Sequence, residues 1–183
     1  MKIRSFIAID IKLFPKLVEF INEIKKTEAN LKIVELKNIH LTIKFLGDID
    51  EEKIDKIGGT IKEVTKDIKP FEIKLKGCGV FPNLNYIKVI WAGLKNCEEI
   101  KKIVKMINEK LSEIGIKKDK REFSAHLTIA RLKSARGKEE IIKILKKYKD
   151  IEFGKLRVES VKLMKSELTP KGPIYSVLKE IKM

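Results

Sequence analysis

IHLTIKFLG at residues 39–47 recurs as AHLTIARLK at residues 125–133. The two segments contain both histidines of the chain, His40 and His126, and each histidine is followed by Leu-Thr-Ile. At background residue frequencies, a chance match of three residues at the second histidine has a probability of about one in a thousand or less. The repeat therefore predicts two similar lobes related by a pseudo-twofold axis.

Each repeat has the pattern of a β-strand. Because residues i and i+2 of a strand project from one face, His40 and Thr42 point together, and so do His126 and Thr128. The apolar residues between them face the other side and anchor the strand. HLTI is also a good sequence for a core strand with a buried histidine, but two identical settings favour a functional pair. If the strands lie side by side, two imidazoles and two hydroxyls converge on one cavity.

Such a cavity suits phosphoryl chemistry without a metal. Imidazole titrates near neutral pH, so one histidine can accept a proton while the other donates one. Threonine hydroxyls can donate to the phosphate oxygens where charge develops. A zinc site is the competing interpretation, but the sequence has no CxxC, HExxH or HxH pattern. We therefore predict no metal and no cofactor.

The rest of the chain alternates strands with helices. Predicted strands cover these segments: Arg4–Ile9, Lys32–Leu36, Ile39–Leu46, Phe71–Phe81, Ile87–Leu94, His126–Leu132, Val158–Leu168 and Ile174–Ile181. Apolar residues at helical spacing predict four helices: Pro15–Lys26, Glu51–Ile68 with Asp50 as its N-cap, Cys97–Ile114 and Lys138–Tyr148. Strict βαβ alternation is absent, which indicates an α+β fold with antiparallel sheets. No linker divides the chain, so residues 1–183 are expected to form a single domain.

Composition narrows the class of partner. The chain of 183 residues has a formal net charge of +15, which favours polyanions such as nucleic acid. Part of that excess is also typical of heat-adapted proteins, which are rich in lysine and glutamate. Two cysteines provide no disulfide framework, and the N-terminal MKIRSFIAIDIKLF is too charged for a secretion signal or membrane span. A cytoplasmic protein without a membrane partner is expected.

The paired H-x-T motifs resemble those of the two-histidine (2H) phosphoesterase superfamily. RSFIAIDI at the N-terminus and SELTPKGPIY near the C-terminus resemble one branch, the RNA 2′,3′-cyclic phosphodiesterases, also called 2′-5′ RNA ligases. This resemblance implies a bilobal α+β fold whose two lobes flank a central cleft. It also implies opening of a 2′,3′-cyclic phosphate on an RNA end to a 2′-phosphate, and in some members joining of tRNA halves. The protein is expected to act as a monomer.

The resemblance carries over to individual residues. It makes His40, Thr42, His126 and Thr128 the catalytic set, with His126 as the base and His40 as the acid, although identical motifs cannot separate these roles. It also implies that Arg131 contacts phosphate.

The same resemblance implies that Phe45 stacks on the terminal base. Strict alternation puts Phe45 and Arg131 on the face opposite their histidines, so each role requires a bulge or a strand end. Ser166 and Tyr175 are candidates for the cleft lining, and Trp91 is assigned to the core. Two other functions stay open: a basic RNA-binding module without activity, and a phosphodiesterase acting on a small cyclic nucleotide.

Overall fold

The fold is α+β, as predicted, in a computed structural model that describes residues 1–183. Its strands are β1 Lys2–Asp10, β2 Leu31–Ile33, β3 His40–Asp50, β4 Phe71–Asn83, β5 Tyr86–Lys95, β6 His126–Leu132, β7 Glu152–Val158, β8 Ser160–Thr169 and β9 Gly172–Lys182. Its helices are α1 Pro15–Lys25, α2 Ile54–Thr65, α3 Glu98–Glu113 and α4 Lys138–Tyr148.

The strands form two antiparallel sheets, one in each lobe. The first sheet has the order β3-β1-β8-β9, and the second has the order β2-β6-β5-β4-β7. The two motif strands, β3 and β6, belong to different sheets and contact each other. The predicted bilobal arrangement is therefore confirmed, and the two H-x-T segments meet where the lobes join.

The helices cover the outer faces of the sheets and intertwine the lobes. Helices α2 and α3 pack against each other and against β9 and β3 of the first sheet. Helices α1 and α4 pack together against β7 and β4 of the second sheet. Helix α1 follows a strand of the first sheet and α3 follows a strand of the second, so both helices cross to the opposite lobe.

A continuous apolar core lies between the helices and the sheets. The predicted apolar stripe of α3 is buried at Ile100, Ile103, Val104, Ile107 and Leu111. Burying each such side chain contributes about 1.5–3 kcal/mol. The motif strands β3 and β6 bury their apolar residues in this core, so the opposite face of each sheet is free to line the cleft.

The predicted strand Val158–Leu168 is confirmed as β8 except at its start, because the chain changes sheets at Glu159. Strand β7 ends at Val158 in the second sheet, and β8 begins at Ser160 in the first. Val158 and Val161 are both buried although they are three residues apart, which breaks the period of two at exposed Glu159. This odd spacing marks the crossing between the lobes.

Two other predicted elements are shorter in the structure. Strand β2 ends at Ile33, because Leu36–Asn38 forms a single 3₁₀ turn that enters β3. A second 3₁₀ turn at Glu51–Lys53 precedes α2, and Asp50 makes no side-chain capping bond. No helix is both long and apolar enough to cross a membrane.

Candidate active site

A bulge in β3 brings Phe45 to the face that carries the first histidine. Thr42 is the partner of Ala8 and Lys44 that of Ile7, so Ile43 has no partner across the strands. Ile43 and Lys44 are consecutive and both buried. The inserted residue reverses the alternation, and Phe45 therefore projects on the side of the histidine and threonine.

The second motif strand contains the matching bulge. Along β6, Thr128 is paired with Trp91 and Ala130 with Ile90, which leaves Ile129 without a partner. Ile129 and Ala130 are both fully buried. Arg131 therefore returns to the face of Thr128. The bulges that the roles of Phe45 and Arg131 require are both present, at equivalent positions of the repeat.

Both imidazoles are held in the same way. The Nδ1 of His40 lies 2.7 Å from the carbonyl oxygen of Asn38, and the Nδ1 of His126 lies 2.7 Å from that of Ser124. A carbonyl oxygen only accepts hydrogen bonds, so each Nδ1 carries a proton and donates it. The Nε2 of each ring is therefore the nitrogen available for proton exchange.

Two aromatic rings of the first sheet pack against His40. Its ring lies 4.8 Å from that of Phe6 and 5.3 Å, edge-on, from that of Tyr175. Its Nε2 is 2.9 Å from the hydroxyl of Thr42, which donates to it when the imidazole is neutral. Burial lowers the pKa of His40, while the Asn38 carbonyl and the Asp10 carboxylate oppose that shift.

A cavity of about 300 Å³ opens beside His40. Asp10, Asn38 and Tyr175 are among its lining residues. The Asp10 carboxylate is directly opposite His40 in the register of β1 and β3, and it forms an ion pair with Lys162 of β8. The amide of Asn38 donates to the carbonyl oxygen of Pro173 at 3.1 Å, which links the turn before β3 to β9, the strand at the other edge of the first sheet.

The second histidine has a different neighbourhood. The ring of Phe81 meets His126 edge-on at 4.9 Å and lies 5.5 Å from Trp91. Trp91 is half-buried beside Thr128 on the cleft face of β5, so its assignment to the core is wrong. Its ring lies flat over Gly79, where a Cβ atom would collide with the indole. Only glycine on β4 leaves room for that ring.

Arg131 acts electrostatically on a residue of the first lobe. Burial raises the pKa of Tyr175, and the positive charges of Arg131 and Arg4 oppose that rise. Arg131 is on β6 and Tyr175 on β9, so the electrostatic coupling joins the two lobes near His40. Neither arginine has a carboxylate partner, whereas Arg136 and Arg157 pair with glutamates.

The remaining predicted residues lie around the same cleft. Phe45 is 69% exposed, and its ring is 6.3 Å from that of Phe6. Ser166 is half-buried opposite Tyr175 in the pairing of β8 and β9. The structure contains no group of three or more metal-binding side chains. The arrangement offers two imidazoles for proton transfer and several uncompensated donors for a phosphate.

Several residues of this cleft escaped the sequence analysis. Phe6, Asp10 and Arg4 occupy alternate positions of β1 and share the face beside His40. Their period of two within RSFIAID is visible in the sequence, but which face meets the motif depends on strand pairing. Phe81 reaches His126 from another hairpin, and no local pattern signals that contact.

Comparison with known proteins identifies the family. The family described as AKAP7 2′5′ RNA ligase-like domain matches residues 6–183. A Methanocaldococcus jannaschii protein named RNA 2′,3′-cyclic phosphodiesterase is 45% identical over 97% of this chain and 99% of its own length. A Methanothermobacter thermautotrophicus protein of the same name is 35% identical, with 96% of each chain covered.

Solved structures show the same fold. TT0787 of Thermus thermophilus is 26% identical and superimposes with a TM-score of 0.83, covering 98% of this chain and 97% of that one. E. coli LigT complexed with 3′-AMP is 20% identical, with a TM-score of 0.76 and coverage of 100% and 99%. With both motifs intact, the chain belongs to the RNA 2′,3′-cyclic phosphodiesterase family of the 2H phosphoesterase superfamily.

Proposed function

We propose that the protein hydrolyses the terminal 2′,3′-cyclic phosphate of RNA to a 2′-phosphate, with His126 as general base and His40 as general acid. The observation that carries this proposal is the matched pair of imidazoles. Each Nδ1 donates to the carbonyl oxygen two residues before it at 2.7 Å, and the two motif strands contact each other. The names of the relatives support the same substrate class.

In this reaction, the oxygen of one water molecule bonds to phosphorus, and one P–O bond of the cyclic phosphate breaks. Neutral His126 removes a proton from the water through Nε2 as the water oxygen bonds to phosphorus. The bond between phosphorus and the 3′ oxygen breaks, and His40 donates its Nε2 proton to that oxygen. The product is a 2′-phosphate with a free 3′ hydroxyl. The two histidines end in exchanged protonation states, which solvent restores before the next cycle.

The surroundings of the two rings support this division of roles. Asp10 faces His40 across the strands and raises its pKa relative to burial alone, which favours the protonated form that an acid needs. The corresponding partner of His126 is Gly93, which carries no charge. Thr42 and Thr128 would donate to the non-bridging oxygens of the phosphate, and Arg131 would balance its negative charge.

The same geometry extends to ligation. The 5′ hydroxyl of a second RNA can replace water as the nucleophile, and opening of the cyclic phosphate then leaves a 2′-5′ linkage. We include joining of RNA ends such as tRNA halves in the proposal as a secondary activity. It uses the same two proton transfers and adds no residue to the site.

The test is a short 5′-labelled RNA that ends in a 2′,3′-cyclic phosphate, incubated in excess EDTA. Chromatography against synthetic standards distinguishes a 2′-phosphate from a 3′-phosphate product. His40→Ala and His126→Ala proteins, purified in parallel, exclude a contaminating nuclease. A 3′-phosphate product would overturn the assigned geometry. Turnover of a cyclic mononucleotide alone would favour the small-nucleotide alternative, and RNA binding without turnover would favour the inactive binding module.

A further inference from the structure

The second lobe carries two like charges side by side on the cleft face. Lys32 of β2 is the direct partner of Arg131 of β6, and both side chains are exposed. Neither one forms an ion pair with a carboxylate, although other exposed cations with neighbouring acids in this chain do, for example Arg136 with Glu28. Like charges directly opposite each other destabilise a sheet, so this pair is better satisfied by a bound anion.

An exposed aromatic side chain lies on the same face, one step further along. The pairing of β4 with β5 slips between Phe81 and Pro82, which leaves Lys88 without a partner. Ile87 is consequently buried in the core, and Tyr86 projects to the side of Val89, the cross-strand partner of Arg131. Tyr86 is 61% exposed, and the Lys88 ammonium lies 5.1 Å from the centre of its ring.

These side chains form a row that leads away from the histidine. Gly93, Trp91 and Val89 of β5 pair in turn with His126, Thr128 and Arg131. At about 3.3 Å per residue along β5, the backbone of Arg131 is roughly 13 Å from the backbone of His126, and that of Tyr86 is roughly 20 Å from it. The row therefore lies within reach of the nucleotides next to the terminal one.

We propose that Lys32 and Tyr86, next to Arg131, form a subsite for the nucleotides that precede the terminal cyclic phosphate of a single-stranded RNA. Arg131 binds the terminal phosphate, Lys32 binds the phosphodiester that precedes it, and Tyr86 stacks on a base. Stacking on an aromatic ring tolerates any base, because every base has a π-face. The subsite rests on the proposed function and adds a consequence, namely preference for an oligonucleotide over a cyclic mononucleotide.

The experiment compares kcat/KM for a cyclic mononucleotide and for a short RNA with the same terminal cyclic phosphate. Tyr86→Ala should lower the value for the RNA by about 5- to 150-fold and leave the value for the mononucleotide unchanged. Tyr86→Phe should behave as the unmodified protein, because the ring and not the hydroxyl stacks on the base. Equal effects of Tyr86→Ala on both substrates, or none on either, would overturn the proposal.

The cationic part of the subsite has its own measurement. Lys32→Gln should weaken RNA hydrolysis at low salt and reduce the slope of its salt dependence by about 0.7. Lys105→Gln is the matched control, because Lys105 is exposed on α3 at the outer face of the first lobe. The same loss in both variants would mean that the net charge alone attracts RNA, and would refute a localised subsite.

Binding separates failure of the subsite from failure of the proposed function. Fluorescence anisotropy with a labelled RNA ending in a 3′ hydroxyl requires no catalysis. If the protein opens neither substrate, the proposed function fails, but weaker RNA binding by Tyr86→Ala and Lys32→Gln would still support the subsite. If turnover is confirmed and neither variant changes RNA binding or hydrolysis, the subsite alone is wrong.

Discussion

Replacement of Lys44 tests whether a buried charge holds the two lobes in register. Lys44 follows the bulge of the first motif strand and is 1% exposed. Its ammonium donates to Asn108 Oδ1 at 2.6 Å and to the Lys117 carbonyl oxygen at 2.9 Å, and it pairs with Asp119 at 3.1 Å. The segment it contacts leads from α3 in the first lobe to β6 in the second, and ends at the Ser124 carbonyl that holds His126.

The structure gives the size of the expected effect. Lys44→Met keeps most of the side-chain volume, so the change leaves no large cavity. It removes the charged donor shared by Asn108 and Lys117, and a hydrogen bond to a charged group contributes about 1.5–3 kcal/mol. Asn108 Oδ1 keeps the backbone N–H of Asp119 at 3.3 Å and Lys117 is exposed, so both acceptors are partly compensated. Asp119 is 41% exposed and can be solvated, so losing its ion pair adds less than about 1 kcal/mol. We expect a loss of about 2–4 kcal/mol in the free energy of unfolding.

Guanidinium unfolding followed by the fluorescence of Trp91 and by circular dichroism measures this loss. Coincident transitions would establish two-state behaviour. Asp119→Asn should cost less than about 1 kcal/mol, and Lys105→Met, at an exposed position, should stay within about 0.5 kcal/mol. Below its unfolding transition, Lys44→Met should also turn over more slowly, because the segment that leads to His126 is less well fixed. Unchanged stability in Lys44→Met would refute the reasoning.

Three further predictions concern the reaction itself. His40→Ala and His126→Ala should each lower kcat/KM by about 10²- to 10⁴-fold without unfolding the protein, and the double variant should lose little more, because the pair acts as a unit; near-normal turnover of either single variant would contradict the paired mechanism. The pH profile of kcat/KM should be bell-shaped. Because burial lowers the pKa of His40 from its ordinary 6.5, an acid role for His40 puts the alkaline limb of the profile below the pKa of a free histidine, and Asp10→Asn should move this limb to still lower pH. Movement of the acidic limb instead would exchange the roles of the two histidines. Activity should survive excess EDTA, measured by the RNA assay with magnesium added back as a control, since the proposed chemistry uses only side chains; loss of activity in EDTA that magnesium restores would disprove it.

The parts of the fold that depend on local pattern could be predicted from the sequence. The helix Lys138–Tyr148 has the predicted bounds because its apolar period is uninterrupted, and the strand His126–Leu132 has them although a bulge breaks its alternation after Ile129. The direction of Leu127 and of Ile129 into the core also follows from the period of two. These features need only neighbouring residues, so one sequence is enough to find them.

The parts that depend on long-range pairing could not be predicted in the same way. Tyr175 is a candidate for the cleft lining from the sequence, but its contact with His40 depends on a strand far along the chain, and Trp91 faces the cleft because of the pairing of β5 with β6. Which sheet a helix covers is equally non-local, since α1 and α3 both cross to the other lobe. The change of sheet at Glu159 could be predicted only in part. The spacing of Val158 and Val161 is visible in the sequence, but it indicates a crossing only when the strand is known to be interrupted.

Two identical H-x-T segments create a problem that the surrounding residues resolve. A symmetric pair of histidines would bind a cyclic phosphate in two orientations, and each orientation would release a different oxygen. The bulges bring the fifth residue after each histidine to the cleft, where it is aromatic in one lobe, Phe45, and cationic in the other, Arg131. The residue opposite the histidine differs as well, since it is Asp10 in the first lobe and Gly93 in the second. A base and a phosphate are therefore drawn to different lobes, and only one imidazole is next to a carboxylate. In the proposed reaction, this asymmetry orients the substrate and separates the acid from the base, which the motifs alone cannot do.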